Sequence, residues 1–156
     1  MLSSESRALI EREAEKYPAE RRASAVMAAL SIAQEEHGWL SEPLMDYVAQ
    51  LLGMRPIEVY EVATFYTMYN LKPVGRHEIS VCTNISCMLN GAGLVVKHLE
   101  NRLGIRMGET TEDGRFTLKE AECLAACGGA PMFMIGKTYY ENLTPERIDE
   151  ILGSLE

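Results

Sequence analysis

The placement of the four cysteines constrains this 156-residue chain more than any other feature, because all four lie in two tight pairs. Four residues separate Cys82 from Cys87, and three separate Cys123 from Cys127. A further 35 residues lie between the two pairs. A fold that uses the four thiols together must therefore bring two distant loops to one place.

Several kinds of site would use such thiols. A [2Fe–2S] cluster is held by four thiolates, and C-x4-C is among the spacings that ferredoxins use. Structural zinc also takes four thiolates, although it favours the tighter C-x2-C, which neither pair has. A thiol-exchange site would need C-x-x-C, and buried thiols without any ligand are the remaining possibility. The spacing favours the cluster and leaves a zinc-stabilised binding module open.

The residues around the thiols also suit a cluster. Small residues allow backbone N–H groups to approach sulfur, and such hydrogen bonds help to set a reduction potential. Apolar neighbours are expected to limit the access of water. The small residues are Thr83, Asn84, Ser86, Ala125, Ala126, Gly128 and Gly129, and the apolar ones are Ile85, Met88, Leu89 and Leu124.

Charge and hydropathy exclude other classes of function. The net charge of −8 is divided evenly between residues 1–75 and 76–156, so there is no basic patch for nucleic acid. No stretch approaches 18 consecutive apolar residues, and the charged N-terminus has no apolar signal core. We therefore expect a cytoplasmic protein without direct membrane insertion. Thiols stay reduced in that compartment, which favours a metal site over disulfides.

The first 75 residues are predicted to be a helical domain. A polar segment at 5–16 predicts an outer helix, and glycines follow two apolar stripes where helix C-caps belong. Pro73 and Gly75 break any helix and mark the boundary. The remaining helices are predicted from Pro18 to Gly38, from Ser41 to Gly53, and from Pro56 through Tyr69.

Residues 76–156 alternate between strand and helix patterns. "HEISVC" predicts a strand, and a helix follows it up to Gly104. An Asp113-Gly114 turn leads to a second strand, and Gly136-Lys137 predicts the turn of a hairpin. Thr144 caps a last helix. This order predicts a small mixed sheet covered by helices, and so an α+β chain.

The cysteines fall at strand ends in this scheme. Cys82 ends the first strand, and Cys87 follows a short loop just before a helix. Cys123 ends the next strand, and Cys127 lies in the loop after it. If the two strands are neighbours, the four sulfurs meet at one edge of the sheet.

Three long segments resemble a known family. The sequence is similar, from about residue 17 to 152, to the small [2Fe–2S] subunit of the NADH-dehydrogenase module of respiratory complex I, an NADH:quinone oxidoreductase. The combination of four short motifs is more specific than the cysteine spacing. These motifs are "EVATFYTMY", "PVGRH", "DGRFTL" and "ECLAAC".

The resemblance implies a fold, a cofactor and partners. It implies a helical bundle followed by a thioredoxin-like domain whose cluster ligands are Cys82, Cys87, Cys123 and Cys127. It also implies assembly with the flavoprotein subunit that binds NADH and FMN, and with other peripheral-arm subunits. The chain would be a redox subunit without a substrate site, peripheral to the cytoplasmic face of the inner membrane. Similar subunits serve NAD-linked hydrogenases and formate dehydrogenases.

A few residues stay outside this interpretation or depart from the family pattern. The three histidines, His37, His77 and His98, are interpreted as surface or boundary residues, because four thiolates complete the site. Gly128-Gly129 replaces the larger or polar pair that the family often has. Pro131 stands where thioredoxin-like folds often hold a cis proline. The aromatic run from Tyr60 to Tyr69 fits a partner surface and a buried helix face equally well.

Overall fold

The computed structural model describes residues 1–155, in two compact units. The first unit is Met1–Pro73, and the second begins at Val74. The first unit contains only helices, whereas the second contains a four-stranded mixed sheet with helices. This composition confirms the predicted α+β class.

Several helix ends of the first unit lie at residues with clear capping signals. The Oγ of Ser3 accepts the Ser6 N–H at the start of the first helix. Gly38 and Gly53 take left-handed conformations at two helix C-termini, with φ of 79° and 66°, which glycine adopts readily. The elements are α1 Ser4–Ala14, a 3-10 segment Ala19–Ala25, α2 Val26–His37, α3 Glu42–Leu52 and α4 Pro56–Phe65.

Two details of this unit differ from the sequence prediction. The chain after Pro18 forms a 3-10 segment with a non-helical Arg21 before α2 begins. Helix α4 ends at Phe65, because Tyr66 is extended and the chain turns. That turn brings Tyr69 into the core, where its hydroxyl donates to the Met27 carbonyl over 2.9 Å.

The second unit is built on a sheet with the strand order β2-β1-β3-β4. Strands β1 and β2 are parallel, and the other two pairings are antiparallel, with the hairpin turn at the predicted glycine. Thr144 caps the last helix through its Oγ1, as predicted. The elements are β1 His77–Cys82, α5 Ile85–Leu89, α6 Ala92–Leu103, β2 Phe116–Ala121, a 3-10 turn Cys127–Gly129, β3 Phe133–Ile135, β4 Thr138–Tyr140 and α7 Pro145–Ser154.

The parallel pairing of β1 with β2 positions the cysteine loops. The register runs from His77 opposite Phe116 to Cys82 opposite Ala121, so both strands end at the same edge of the sheet. Behind that edge, the sheet and its helices bury a continuous apolar core. The fully buried side chains include Ile79, Val81, Leu99, Leu118, Phe133 and Ile148. Both loops therefore start from rigid elements.

Among the helices of residues 1–155, none combines the length and the apolar character that crossing a bilayer requires.

Candidate metal centre

Cys82 is fixed by the sheet. It is the last residue of β1, and its N–H donates to the Met132 carbonyl over 3.2 Å. The next residue, Thr83, donates its N–H to the Ala121 carbonyl at the end of β2. The Cys82 side chain is buried, and its place at the end of the strand is the one predicted.

Cys87 lies within a short helix, not before one as the sequence predicted. Helix α5 starts directly after Asn84, whose Oδ1 accepts the Ile85 N–H over 2.6 Å. The turn of α5 carries Cys87 back under the end of β1, where only 2% of it is exposed. There the Cys87 thiol is hydrogen-bonded to the sulfur of Cys82.

The second pair lies in an exposed loop. Strand β2 ends at Ala121, so Cys123 lies beyond the strand that the sequence expected it to end. The Ala125 N–H donates to the Cys123 Sγ over 3.4 Å. Cys127 begins the 3-10 turn that follows. The chain thus folds back toward the sheet through these two cysteines.

The structure packs two of the four thiols together and brings the loop of the other two to the same edge of the sheet. Cys82 and Cys87 are hydrogen-bonded to each other. Cys123 contacts the backbone of its own loop. Over residues 1–155, no set of three or more His, Cys, Asp or Glu side chains is arranged closely enough to hold a metal ion. The assignment of all four cysteines as ligands therefore stays a prediction.

The two buried thiols differ in their acidity. Burial raises the pKa of Cys87 to about 11, and the hydrogen bond that it donates to Cys82 adds to the shift. Burial also acts to raise the pKa of Cys82, but three hydrogen bonds to its sulfur lower the pKa overall. The donors are the Asn84 N–H, the Leu124 N–H and the Cys87 thiol. Cys82 is therefore the first of the pair to become a thiolate.

The residues present fit an iron–sulfur cluster. Its ligands are thiolates, and this edge of the sheet carries all four cysteines of the chain, none of them in a disulfide. Backbone N–H groups already point at three of the four sulfurs. The donors are Asn84 and Leu124 on Cys82, Met132 on Cys87, and Ala125 on Cys123. Such N–H donation stabilises negative charge on the sulfur atoms of a cluster.

The apolar surroundings of the cysteines differ in part from those predicted. Ala92 and the fully buried Met132 pack against Cys82 and Cys87, and Leu124 lies beside them, half-buried. The side chains of Ile85, Met88 and Leu89 do not cover the thiols, because they are 65%, 59% and 78% exposed. Helix α5 therefore turns its cysteine inward and its apolar residues outward.

Two further features lie on the far side of the Cys127 turn. The Ala130–Pro131 peptide bond is cis, an isomer that the sequence left open. Gly129 packs against the side chain of Glu141, a residue that sequence reasoning did not single out. The sequence gives no signal of this contact, because 11 residues separate Gly129 from Glu141 along the chain.

The histidines pair away from the cysteines, in agreement with their interpretation. His98 is 3.1 Å from Asp149, and His37 is 3.7 Å from Glu36. The ring of His77 lies at the opposite end of β1 from Cys82 and packs against the ring of Phe116.

Comparison with known proteins gives a consistent result. Residues 10–156 match the family model of the thioredoxin-like [2Fe–2S] ferredoxin. An E subunit of the NADH-quinone oxidoreductase of Rhizobium meliloti (strain 1021) is 50% identical over 145 residues, which cover 93% of this chain and 85% of the relative. The corresponding E subunit of Rickettsia conorii (strain ATCC VR-613 / Malish 7) is 47% identical over 142 residues, 90% of this chain and 85% of the relative.

A solved structure shares the fold. The NAD+-reducing [NiFe]-hydrogenase in its air-oxidised state superposes with a TM-score of 0.70 at 21% identity, over 81% of this chain and 22% of the hydrogenase chain. At this identity the similarity concerns the fold alone. The family match, together with the high identity and near-complete coverage of the oxidoreductase relatives, establishes the family of this chain. The chain belongs to the thioredoxin-like [2Fe–2S] ferredoxin family, with the E subunits of NADH-quinone oxidoreductases as its relatives.

Proposed function

We propose that Cys82, Cys87, Cys123 and Cys127 hold a [2Fe–2S] cluster that exchanges electrons with FMN in a flavoprotein partner subunit of an NADH:quinone oxidoreductase. The observation that carries this proposal is the burial of Cys82 and Cys87 together at the end of β1, because the parallel pairing of β1 with β2 brings the loop of Cys123 and Cys127 to the same edge of the sheet. The family match and the NADH-quinone oxidoreductase relatives support the kind of cluster and the kind of complex.

The residues of the chain position and stabilise the ligands. When bound, the cluster accepts and releases one electron at a time. The sheet fixes Cys82, and α5 fixes Cys87. Little of the surrounding protein therefore has to rearrange when the cluster accepts an electron. The N–H groups of Asn84 and Leu124 donate to Cys82 and stabilise the negative charge there. This chain therefore has no need of a substrate site of its own.

Exposed apolar side chains beside the cysteines offer a surface for the flavoprotein. Ile85, Met88 and Leu89 point outward from α5, within two residues of the buried Cys87. Contiguous exposed apolar residues of this kind mark protein interaction sites. Docking of the NADH- and FMN-binding subunit here would place its flavin close to the cluster.

We assign residues 76–156 as the redox domain and residues 1–75 as a helical domain for assembly with other peripheral-arm subunits. In the helical unit, Phe65 is 78% exposed and Met68 is 50% exposed, whereas Tyr69 is buried. The aromatic run thus contributes both to the core and to a surface. Through these subunits the chain would be held at the cytoplasmic face of the inner membrane.

The first test is the metal content of protein purified without oxygen. We expect iron and acid-labile sulfide, about two of each per chain, and an S = 1/2 EPR signal after reduction by dithionite. Zinc without sulfide or colour, in cells grown with ample iron, would leave a zinc-stabilised binding module instead. The proposal would then be wrong.

Single substitutions test the ligands. Cys82→Ser and Cys127→Ser replace a soft thiolate with a harder oxygen donor, so each is expected to abolish the cluster or change its visible and EPR spectra. Ser86→Ala on the same helix as Cys87 is the matched control and should keep the iron content of the wild type. Unchanged iron and spectra in either cysteine variant would remove that residue from the ligand set.

A further inference from the structure

Gly129 leaves a space that the side chain of Glu141 fills. A methyl group added at Gly129 would lie 2.5 Å from the Glu141 Cδ and 2.6 Å from its Cβ and Cγ. The carboxyl group of Glu141 therefore lies directly against the backbone of Gly129. Gly129 is the last residue of the 3-10 turn that Cys127 begins.

Backbone hydrogen bonds hold Glu141 in this place. The Asn142 N–H donates to the Gly129 carbonyl over 2.7 Å, and the Leu143 N–H donates to the Pro131 carbonyl over 3.1 Å. The segment after β4 is thus tied to the segment that follows Cys127. Glu141 is half-buried and Gly129 is buried. The carboxyl group therefore has a fixed position beside the cysteine loop.

We propose that Glu141, seated against Gly129, lowers the reduction potential of the cluster held beside it. This inference rests on the proposed function. Reduction adds one negative charge to the cluster, and a fixed carboxylate nearby repels that charge. The repulsion is screened less for a half-buried group than for an exposed one. A carboxylate fixed at this position therefore favours the oxidised state of the cluster.

The same geometry gives different roles to the two adjacent glycines. A methyl group at Gly128 would meet nothing within 4 Å, whereas one at Gly129 would collide with Glu141. Gly129 is therefore the residue that admits the carboxylate, and Gly128 is not needed for this purpose.

The test is an EPR-monitored redox titration of the full chain containing its cluster. Glu141→Gln keeps the shape and removes the charge, so its midpoint potential should rise. We expect the ratio of reduced to oxidised cluster at a fixed potential to increase by up to about tenfold, which corresponds to about 59 mV for one electron. Glu141→Asp keeps the charge and should stay closer to the wild type than Glu141→Gln does.

Glu112→Gln is the matched control. Glu112 lies in the turn before β2, at the opposite end of the sheet from the cysteines, so the same change of charge there should leave the potential unchanged. A normal cluster with an unchanged potential in Glu141→Gln overturns the inference. An equal rise in Glu112→Gln also overturns it, because the effect would then follow net charge and not position.

Cluster content separates the two proposals. Iron, sulfide and the visible spectrum are measured on every sample before the titration. A wild-type protein that holds no [2Fe–2S] cluster contradicts the proposed function itself. If the wild type holds the cluster but Glu141→Gln and Glu141→Ala both lose it, Glu141 is needed for assembly of the site, and its assignment to the potential is wrong.

Discussion

The thiol of Cys87 donates a hydrogen bond to the sulfur of Cys82, and the pKa values of the two groups are shifted in opposite directions. Cysteine binds a metal as its thiolate, so cluster binding must remove the proton that Cys87 retains. The low pKa of Cys82 and the N–H groups that surround it supply the first thiolate. The pair therefore combines a ready ligand with one that only a strongly binding metal deprotonates.

The stability of the metal-free protein should depend on pH through this pair. Cys87 has a pKa of about 11 in the folded protein, against an ordinary value of 9.0. Its contribution to stability is therefore fully present below pH 9.0 and is lost as the pH rises toward 11. The lowered pKa of Cys82 acts in the opposite sense, since its contribution is present above 9.0 and is lost as the pH falls through its folded value. Urea unfolding across this range, under anaerobic reducing conditions, measures how the free energy of unfolding changes with pH.

Cys87→Ala is the informative variant for this pH dependence. It removes the group whose pKa is raised, so the loss of stability between pH 9.0 and about 11 should become smaller than in the wild type. Other groups that titrate in the same range are common to both proteins, apart from Cys82, which loses the hydrogen bond from Cys87. Identical slopes in the two proteins would contradict the assignment of the raised pKa to Cys87.

The backbone of Ala125 is strained, and relieving the strain should stabilise the protein. Ala125 has a φ of 57°, a left-handed conformation that costs an alanine about 1–2 kcal/mol. Glycine adopts it freely but loses more entropy on folding, so Ala125→Gly is expected to gain a net of about 0.5–1 kcal/mol. The hydrogen bond from this N–H to Cys123 should persist. Denaturant unfolding of the metal-free full chain measures the change.

The neighbouring alanine provides the control for this substitution. Ala126 has a φ of −119°, outside the left-handed region, so the relief that glycine brings at Ala125 does not apply there. Ala126→Gly should therefore destabilise the protein by about 0.5–1 kcal/mol. If both glycine variants lose stability equally, the left-handed conformation of Ala125 is not a source of strain.

Local signals predicted much of the fold. Glycines after apolar stripes gave the ends of α2, α3 and α6, and prolines and hydroxyl side chains gave several helix starts. These signals act within one turn of the chain, so the sequence contains them directly. The end of α4 was misplaced, because the chain contains no helix-breaking residue there. It turns because Tyr69 is buried against Met27, which is far away in the sequence.

The candidate site was less predictable for the same physical reason. The cysteines are visible in the sequence, and strand ends located Cys82 correctly. The position of Cys87 depends on a five-residue helix that is too short to have a periodic pattern. The contacts of Met132 with the buried thiols and of Glu141 with Gly129 arise only when the sheet brings separate loops together.

The backbone of Gly75 passes very close to the start of β2, and an added side chain there should be costly. A methyl group at Gly75 would lie 2.8 Å from the Phe116 carbonyl carbon and 3.0 Å from that of Arg115. The Gly75 N–H also donates to the buried Oγ1 of Thr117 over 2.6 Å. Neither backbone atom can move without disturbing the start of β2, so Gly75→Ala should destabilise the unit by about 1–3 kcal/mol.

Gly153→Ala is the matched substitution with the opposite expected sign. Gly153 lies near the end of α7, and an added methyl group would meet nothing within 4 Å. Alanine is favoured over glycine in a helix by up to about 1 kcal/mol, less near a fraying end, so stability should rise slightly. Urea denaturation of both full-length variants provides the comparison. A loss of stability in Gly153→Ala as large as that in Gly75→Ala would show that the close approach to Phe116 is not the cause.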